Sequence, residues 1–225
     1  TRLRPFTYDV PKCLLKVDSK TILEHQIEKL KKCGIGEITI VVGYKAQMIK
    51  DFCNENNWQI NFVKNEVYAD SNNFFSLWLS KEYFKGRFVC LNSDVLFDVE
   101  ILKKLEKCNK DITIVVEQKA YYNKEDMKVI IDESGKIAKI AKMIELNKAD
   151  GEFIGIMKLS DEGASQLLHF FDNISISEIK NMWWGKGIQK LIERDYRVHA
   201  LVINKEPCME IDFLEDLKES RKRKW

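Results

Sequence analysis

The sequence has no run of about 20 consecutive apolar residues, the least a membrane-spanning helix needs, although 45% of its residues are hydrophobic. It has almost no net charge, +2 over 225 residues. No global field therefore draws the chain onto nucleic acid or lipid, and any anion site must be local. The basic stretch KESRKRKW reads as a solvated helix end whose Lys and Arg suit the dipole. Six cysteines lie scattered at 13, 33, 53, 90, 108 and 208 without a CxxC pair. That excludes a zinc ribbon and fits small core residues of a reducing, cytoplasmic compartment. None of the three histidines, His25, His169 and His199, falls in a motif that carries chemistry. Of only three prolines two stand in the opening segment, so no linker divides the chain and residues 1–225 read as one domain. The opening TRLRPFTYDV also lacks an apolar h-region, so no signal peptide is expected.

What is present is an alternation of two periods. ILEHQIEKL spaces Ile22, Leu23, Gln26, Ile27 and Leu30 as one face of a helix that CGIG stops near Lys32. EITIVVGY is an almost unbroken β-branched run, expected as a strand buried on both faces. AQMIKDFC (helix), WQINFVKN (strand), NNFFSLWLSKEY (helix), GRFVCLNSDVLF (strand), VEILKKLEKC (helix) and DITIVVEQ (strand) continue the series. Such spacing predicts βαβ units: a Rossmann-like, three-layer α/β/α architecture around a mostly parallel central sheet, with ligands at the C-terminal strand ends. Beyond it MKVIIDESGKIAKIAK alternates about a Ser-Gly turn, which predicts an antiparallel hairpin. GEFIGIMKL, YRVHALVI and CMEIDF read as further strands, and LSDEGASQLLHFF, ISEIKNMWWGKGIQKLIERD and FLEDLKESRKRKW as helices.

Three places carry chemistry. Arg2, Arg4 and Lys12 put three cations on a loop stiffened by Pro5 and Pro11, an arrangement suited to phosphate. In LNSDVLFD an apolar strand runs into Asp94, and an acid at such an edge is a candidate for Mg²⁺, which takes one or two carboxylates plus phosphate oxygens. In MEIDFLEDL, Glu210 and Asp212 lie two residues apart on one strand face, where two carboxylates repel unless a cation separates them. The structural alternatives are helix caps: Asp94 or Asp98 before VEILKKL, and Asp212 with Glu215 before the last helix. Together the three places describe metal-assisted phosphoryl or nucleotidyl transfer.

TRLRPFTYDVPKCLLKV resembles the signature of the nucleotidyltransferases that activate sugar phosphates and phosphoalcohols, T-R-L-x-P followed by P-K and a short apolar strand. VVGYKAQMI, SNNFFSLWLSKEYFKGRFVCLNSDVLFD and CMEIDFLEDL agree in order, so the likeness spans essentially the whole chain. The resemblance implies an NTP-dependent enzyme releasing pyrophosphate. Arg2 and Lys12 would then be catalytic residues on the phosphates, and Asp94, Asp212 and Glu210 would hold Mg²⁺. Family members carry an apolar strand and a Gly-rich turn before T-R-L, expected here upstream of Thr1.

NEVYADSNNFFSLWL looks closest to the cytidylyltransferase branch, which nominates Asn65, Asn73 and Ser76, with Gly43 and Tyr44, for binding CTP. The structural alternative is that Asn72 or Asn73 only caps the next helix and Ser76 faces its backbone. The resemblance assigns the acceptor side to the small antiparallel lid of the second half, and for the acceptor Asp126, Lys128, Glu152 and Trp184 are the candidates. Asp126 and Glu152 suit a primary ammonium, and Trp183, Trp184, Tyr121 and Tyr122 suit a cation cage. Met127 stands where a similar phosphocholine enzyme would place an aromatic, and DGEFIGIMKLS looks like a segment of 2-aminoethylphosphonate cytidylyltransferases. The partners expected are CTP and a small phosphorylated or phosphonate amine, with homodimer formation or fusion to another protein open. Phosphocholine, a sugar-1-phosphate with UTP or dTTP, and a non-catalytic nucleotide-sensing role remain as alternatives. A nucleotide-sugar glycosyltransferase would need a D-x-D motif, and NSDVLFD has one acid where two are required.

Overall fold

We describe residues 3–223 and 225 of a computed structural model. In chain order a ribbon of β1 (Lys16–Val17) and β2 (Lys20–Thr21) leads into α1 (Ile22–Lys32), then β3 (Thr39–Val42), α2 (Ala46–Glu55) and β4 (Asn61–Lys64). Next come α3 (Asn73–Leu79), β5 (Phe88–Leu91), β6 (Val95–Phe97), α4 (Val99–Lys107) and β7 (Ile112–Glu117). They are followed by β8 (Lys128–Ile131), β9 (Ile137–Ala141), β10 (Gly151–Leu159), α5 (Asp161–Asp172), α6 (Ile176–Lys180), α7 (Trp184–Glu193), β11 (Val198–Ile203), β12 (Cys208–Glu210) and α8 (Leu214–Ser220). The fold is α/β, and it falls into two compact units. The first takes residues up to Ala69, Asn92–Lys103 and Glu206 onward; the second takes Asp70–Leu91 and Lys104–Lys205. Among the described residues no helix is long and apolar enough to cross a membrane.

In the first unit α1 starts at a reciprocal cap. The Thr21 hydroxyl accepts from the Glu24 N–H at 3.1 Å and the Glu24 carboxylate accepts from the Thr21 N–H at 2.6 Å, satisfying two otherwise orphaned donors. Its apolar face joins Leu3, Leu15, Val17, Leu96, Ile211 and Leu217 through Ile22. β3 and β4 pair in parallel from Thr39 opposite Asn61 to Val42 opposite Lys64. Ile40 and Val41 are only half-buried, contrary to the expectation from EITIVVGY. Among the described residues β3 has one partner strand, and one partner shields one edge. The expected strand GRFVCLNSDVLF is likewise two strands. Asn92, Ser93 and Asp94 are turn formers that break it into β5 and β6, and β6 pairs antiparallel with β12.

The second unit is built on a six-stranded sheet in the order β11-β7-β10-β8-β9, with β5 also paired to β10. β7 and β11 run parallel, whereas β10 is antiparallel to β5, β7 and β8, so this sheet is mixed where mostly parallel pairing was expected. The reason lies in the connection. A parallel return needs a crossover such as a helix, and β10 arrives instead from the β8–β9 hairpin. All nine β10 residues are buried. Its register with β7 shifts between Phe153 and Met157, where Gly155 takes φ 70°, a left-handed conformation that side chains resist. Phe74, Ile114, Met157, Leu167, Phe170 and Ile188 form the centre of this unit's core.

Candidate active site

The first unit gathers residues from three distant parts of the chain. Lys12 follows Pro11 and opens a short 3₁₀ turn, Lys12–Leu14, so its side chain leaves a rigid corner. Asp94 ends the turn before β6, and Asp212 follows β12 by two residues. Pairing of Val95 with Glu210, extended by the Ile211 N–H donating to the Asp94 carbonyl at 3.0 Å, sets the two acids side by side. The Lys12 ammonium donates to Asp94 Oδ2 at 2.5 Å and to Asp212 Oδ1 at 2.6 Å. Burial pulls the Lys12 pKa down, but the charges of Asp94 and Asp212 outweigh it and hold the group above its ordinary value. The other oxygen of Asp94, Oδ1, is buried and has no hydrogen-bond partner.

Glu210 points to a different contact, its Oε1 accepting from the Asn92 amide at 2.9 Å. Among the described residues no group of three or more His, Cys, Asp or Glu is arranged to hold a metal ion, and Asp94 and Asp212 are the two acids that meet at Lys12. A support that the sequence reading missed is Gln26, counted there as part of an apolar face. Its amide donates to the carbonyls of Asn92 and Val95, both at 2.8 Å, and so ties the Asp94 turn to α1. The last helix is capped by Asp216, which accepts from the N–H groups of Asp212 and Phe213, and not by Glu215.

Lys12 and Asp212 face a cavity of about 420 Å³ lined also by Leu3, Arg4, Thr7, Tyr8, Val10 and Tyr44. Gly43 packs so tightly against Tyr68 that an added Cβ would fall 2.6 Å from the tyrosine Cβ, which makes glycine obligatory at that corner. Asn65 is buried, and its side-chain oxygen accepts from the Val67 N–H at 3.1 Å, folding its own loop. Arg2 lies outside the described residues.

In the second unit Asn73 Oδ1 accepts from the Trp184 N–H at 2.9 Å, fastening α3 to the start of α7, and Ser76 is half-buried on α3. Trp184 is buried with its ring stacked on Phe153, centroids 5.9 Å apart, while Trp183 is half-exposed and Tyr121 almost fully exposed. Lys128 is also buried. Its ammonium donates to the carbonyls of Asn123, Asp126 and Lys124, so it shapes the loop before β8. That loop presents Asp126, which with Glu152 and Glu117 surrounds Lys119, a residue the sequence reading did not single out. Lys119 donates to Glu152 and lies 3.5 Å from Glu117 and 4.0 Å from Asp126. Burial, reinforced by the Asp126 and Glu117 charges, pushes Glu152 up to about 6 against the pull of Lys119. For Lys119 the carboxylates overcome burial and raise its pKa well above the usual lysine value.

Residues 1–149 match the model of the nucleotidyl transferase family, two thirds of the chain. The chain belongs to that family. Among characterised relatives of this nucleotidyl transferase, the CTP:phosphoglutamine cytidylyltransferase of Campylobacter jejuni is 26% identical over 96% of this chain and 93% of its own length. The choline-phosphate cytidylyltransferase of Streptococcus pneumoniae is 43% identical over 43% of this chain and 42% of its own. The fold matches that of the CTP:phosphocholine cytidylyltransferase structure from Streptococcus pneumoniae with a TM-score of 0.81, at 24% identity over 99% of this chain and 93% of that one.

Proposed function

We propose that this nucleotidyl transferase is a CTP-dependent cytidylyltransferase that moves CMP onto a small phosphorylated or phosphonate acceptor carrying an ammonium, with release of pyrophosphate. The observation that carries the reading is the Lys12 ammonium bound between Asp94 and Asp212, with Asp94 Oδ1 buried and unpartnered beside it. A buried carboxylate oxygen without a donor is costly unless a ligand satisfies it. Asp94 and Asp212 therefore fit Mg²⁺, which keeps most of its shell for water and phosphate. When bound, the ion would supply charge neutralisation at the reacting phosphates.

An acceptor oxygen attacks the α-phosphorus of CTP in line, the new P–O bond forming as the bond to pyrophosphate breaks. The acceptor is already ionised, so no strong general base is required. Lys12 offsets charge that grows on the transferring phosphoryl group, and Arg2 is assigned to the same task. The cavity walls, Tyr44 among them, confine the nucleotide, Gly43 shapes the turn that carries Tyr44, and Asn65, Asn73 and Ser76 remain the candidates for reading cytosine. Asp126 and Glu152 supply the anionic side of the acceptor seat; the Lys128 ammonium holds the Asp126 carbonyl, and Trp184 stacks on Phe153, the residue after Glu152. The names of the relatives favour CTP and a nitrogen-bearing acceptor, and the DGEFIGIMKLS segment favours 2-aminoethylphosphonate.

The test is pyrophosphate release with Mg²⁺ and each of the four NTPs, offering 2-aminoethylphosphonate, phosphocholine, phosphoglutamine, a sugar-1-phosphate or no acceptor. Release with CTP that depends on 2-aminoethylphosphonate is the expected result. Release with phosphocholine or phosphoglutamine alone would keep the chemistry and replace the acceptor. UTP or dTTP with a sugar phosphate, or CTP binding without release, would overturn the reading.

A further inference from the structure

We propose that Tyr44 is a positioning residue: its phenol latches the loop of residues 3–10 so that Arg4 faces the same cavity as Lys12 and serves as a further cation for the nucleotide phosphates. The inference rests on the transferase reading of that cavity and adds to it a residue and a mechanism of alignment. The Tyr44 hydroxyl donates to the Tyr8 carbonyl at 2.6 Å and lies 3.4 Å from that of Thr7. One residue on, Lys45 pairs with Asp9 at 3.2 Å, so two successive side chains of the turn after β3 grip the same loop. The turn itself is rigid, because Gly43 is packed against Tyr68 and the Tyr44 and Tyr68 rings lie 6.3 Å apart.

The held loop presents Arg4. Its guanidinium lies 4.9 Å from the centre of the Tyr8 ring, and Arg4, Tyr8, Tyr44 and Lys12 all line the cavity. Among the described residues no carboxylate pairs with Arg4, unlike Lys12, whose charge is already shared by two. A planar guanidinium resting on an aromatic face keeps its N–H fork free for phosphate oxygens. Ordering this loop costs conformational entropy, which the phenol offsets before the nucleotide arrives. Loss of the hydroxyl should therefore weaken binding of the phosphates and spare the chemical step.

The experiment compares wild type, Tyr44→Phe, Arg4→Ala and the double variant for the CTP dependence of pyrophosphate release and for calorimetric binding of inorganic pyrophosphate. The expected result for Tyr44→Phe is a CTP KM raised about fivefold with kcat within about twofold, the scale of one hydrogen bond. Arg4→Ala should lose about tenfold or more, and the double variant should match Arg4→Ala, because Tyr44 acts through Arg4. An unchanged KM in Tyr44→Phe, or single effects that multiply in the double variant, would overturn the latch. Pyrophosphate affinity should fall in the same order. Because that binding is read without turnover, equal affinity in wild type and Tyr44→Phe would sink the latch even where CTP turnover upholds the transferase reading. A wild type that binds pyrophosphate with the expected order but turns over no CTP would uphold the latch and sink the transferase reading.

Discussion

Lys12 in the first unit and Lys119 in the second are both partly buried lysines among carboxylates, two around Lys12 and three around Lys119. In each, burial alone would lower the pKa and the surrounding acids reverse it. Lys29 on α1 shows what happens when acids lie near but none hydrogen-bonds the ammonium. Its buried ammonium has no hydrogen-bond partner, lies over the Phe97 ring at 5.6 Å, and is pulled down to about 8 by burial. Close pairing with acids, not depth of burial, thus decides whether a buried lysine's pKa rises or falls. The two paired lysines also differ in origin. Lys12 meets acids 82 and 200 positions away and depends on the β6–β12 pairing, whereas Glu152, the principal partner of Lys119, is 33 positions away.

The comparison can be broken most decisively at Asp94. Asp94→Asn keeps the shape but removes the charge opposite Lys12, and turnover should fall by about 100-fold or more, as when a single transition-state stabiliser is lost. Glu152→Gln in the same assay should leave kcat within a few-fold, and equal losses in the two variants would abolish the distinction between the clusters.

Next in size is the unpaired lysine. Lys29→Met should stabilise the protein by about 2 kcal/mol at pH 7, since an unpartnered charge is no longer buried. The folded pKa, about 8, lies below the ordinary lysine value of 10.5, so the folded state binds fewer protons between them and stability rises with pH across that window. The gain from Lys29→Met, measured by denaturant unfolding, should therefore shrink as pH rises from 8 to 10.5. A gain that did not change with pH would refute the cause assigned.

A smaller effect is expected on the acceptor. Glu152→Gln should raise the KM for an ammonium-bearing acceptor about tenfold, the worth of one charged hydrogen bond, and should leave a polyol phosphate unaffected. The mildest effect is a pH profile. Glu152 titrates near 6, so acceptor kcat/KM in the wild type should decline below that pH as the carboxylate is neutralised, with the inflection missing in Glu152→Gln.

The two clusters were unequally legible in the sequence. Lys12, Asp94 and Asp212 stood out because each interrupts an apolar run with a charge at a strand or loop end, and the motif order tied them together. Lys119 did not, since a polar residue after DITIVVEQ is what any strand end shows, and its partners come from a loop and from β10. Lys128 and Asn73 reveal a related limit. Their residue types suggested ligand binding, and nothing in the sequence signalled that the Lys128 ammonium also donates to loop carbonyls or that Asn73 Oδ1 also accepts from the Trp184 N–H, contacts that tertiary packing makes. Most helices and the hairpin were readable from period, but ISEIKNMWWGKGIQKLIERD, read as one helical stretch, is broken between α6 and α7. The mixed sheet and the break at Asn92–Asp94 were not, because strand direction and partner are set by long-range pairing that a local apolar run does not encode.

The most direct measurement is acceptor-dependent pyrophosphate release by Lys12→Ala and Lys119→Met beside the wild type, at saturating CTP and Mg²⁺. The prediction is that kcat falls by about 100-fold or more in Lys12→Ala, while Lys119→Met keeps kcat within a few-fold and changes the acceptor KM. A Lys12→Ala variant that folds normally and turns over at the wild-type rate would contradict the assignment of transfer chemistry to the Lys12, Asp94 and Asp212 site.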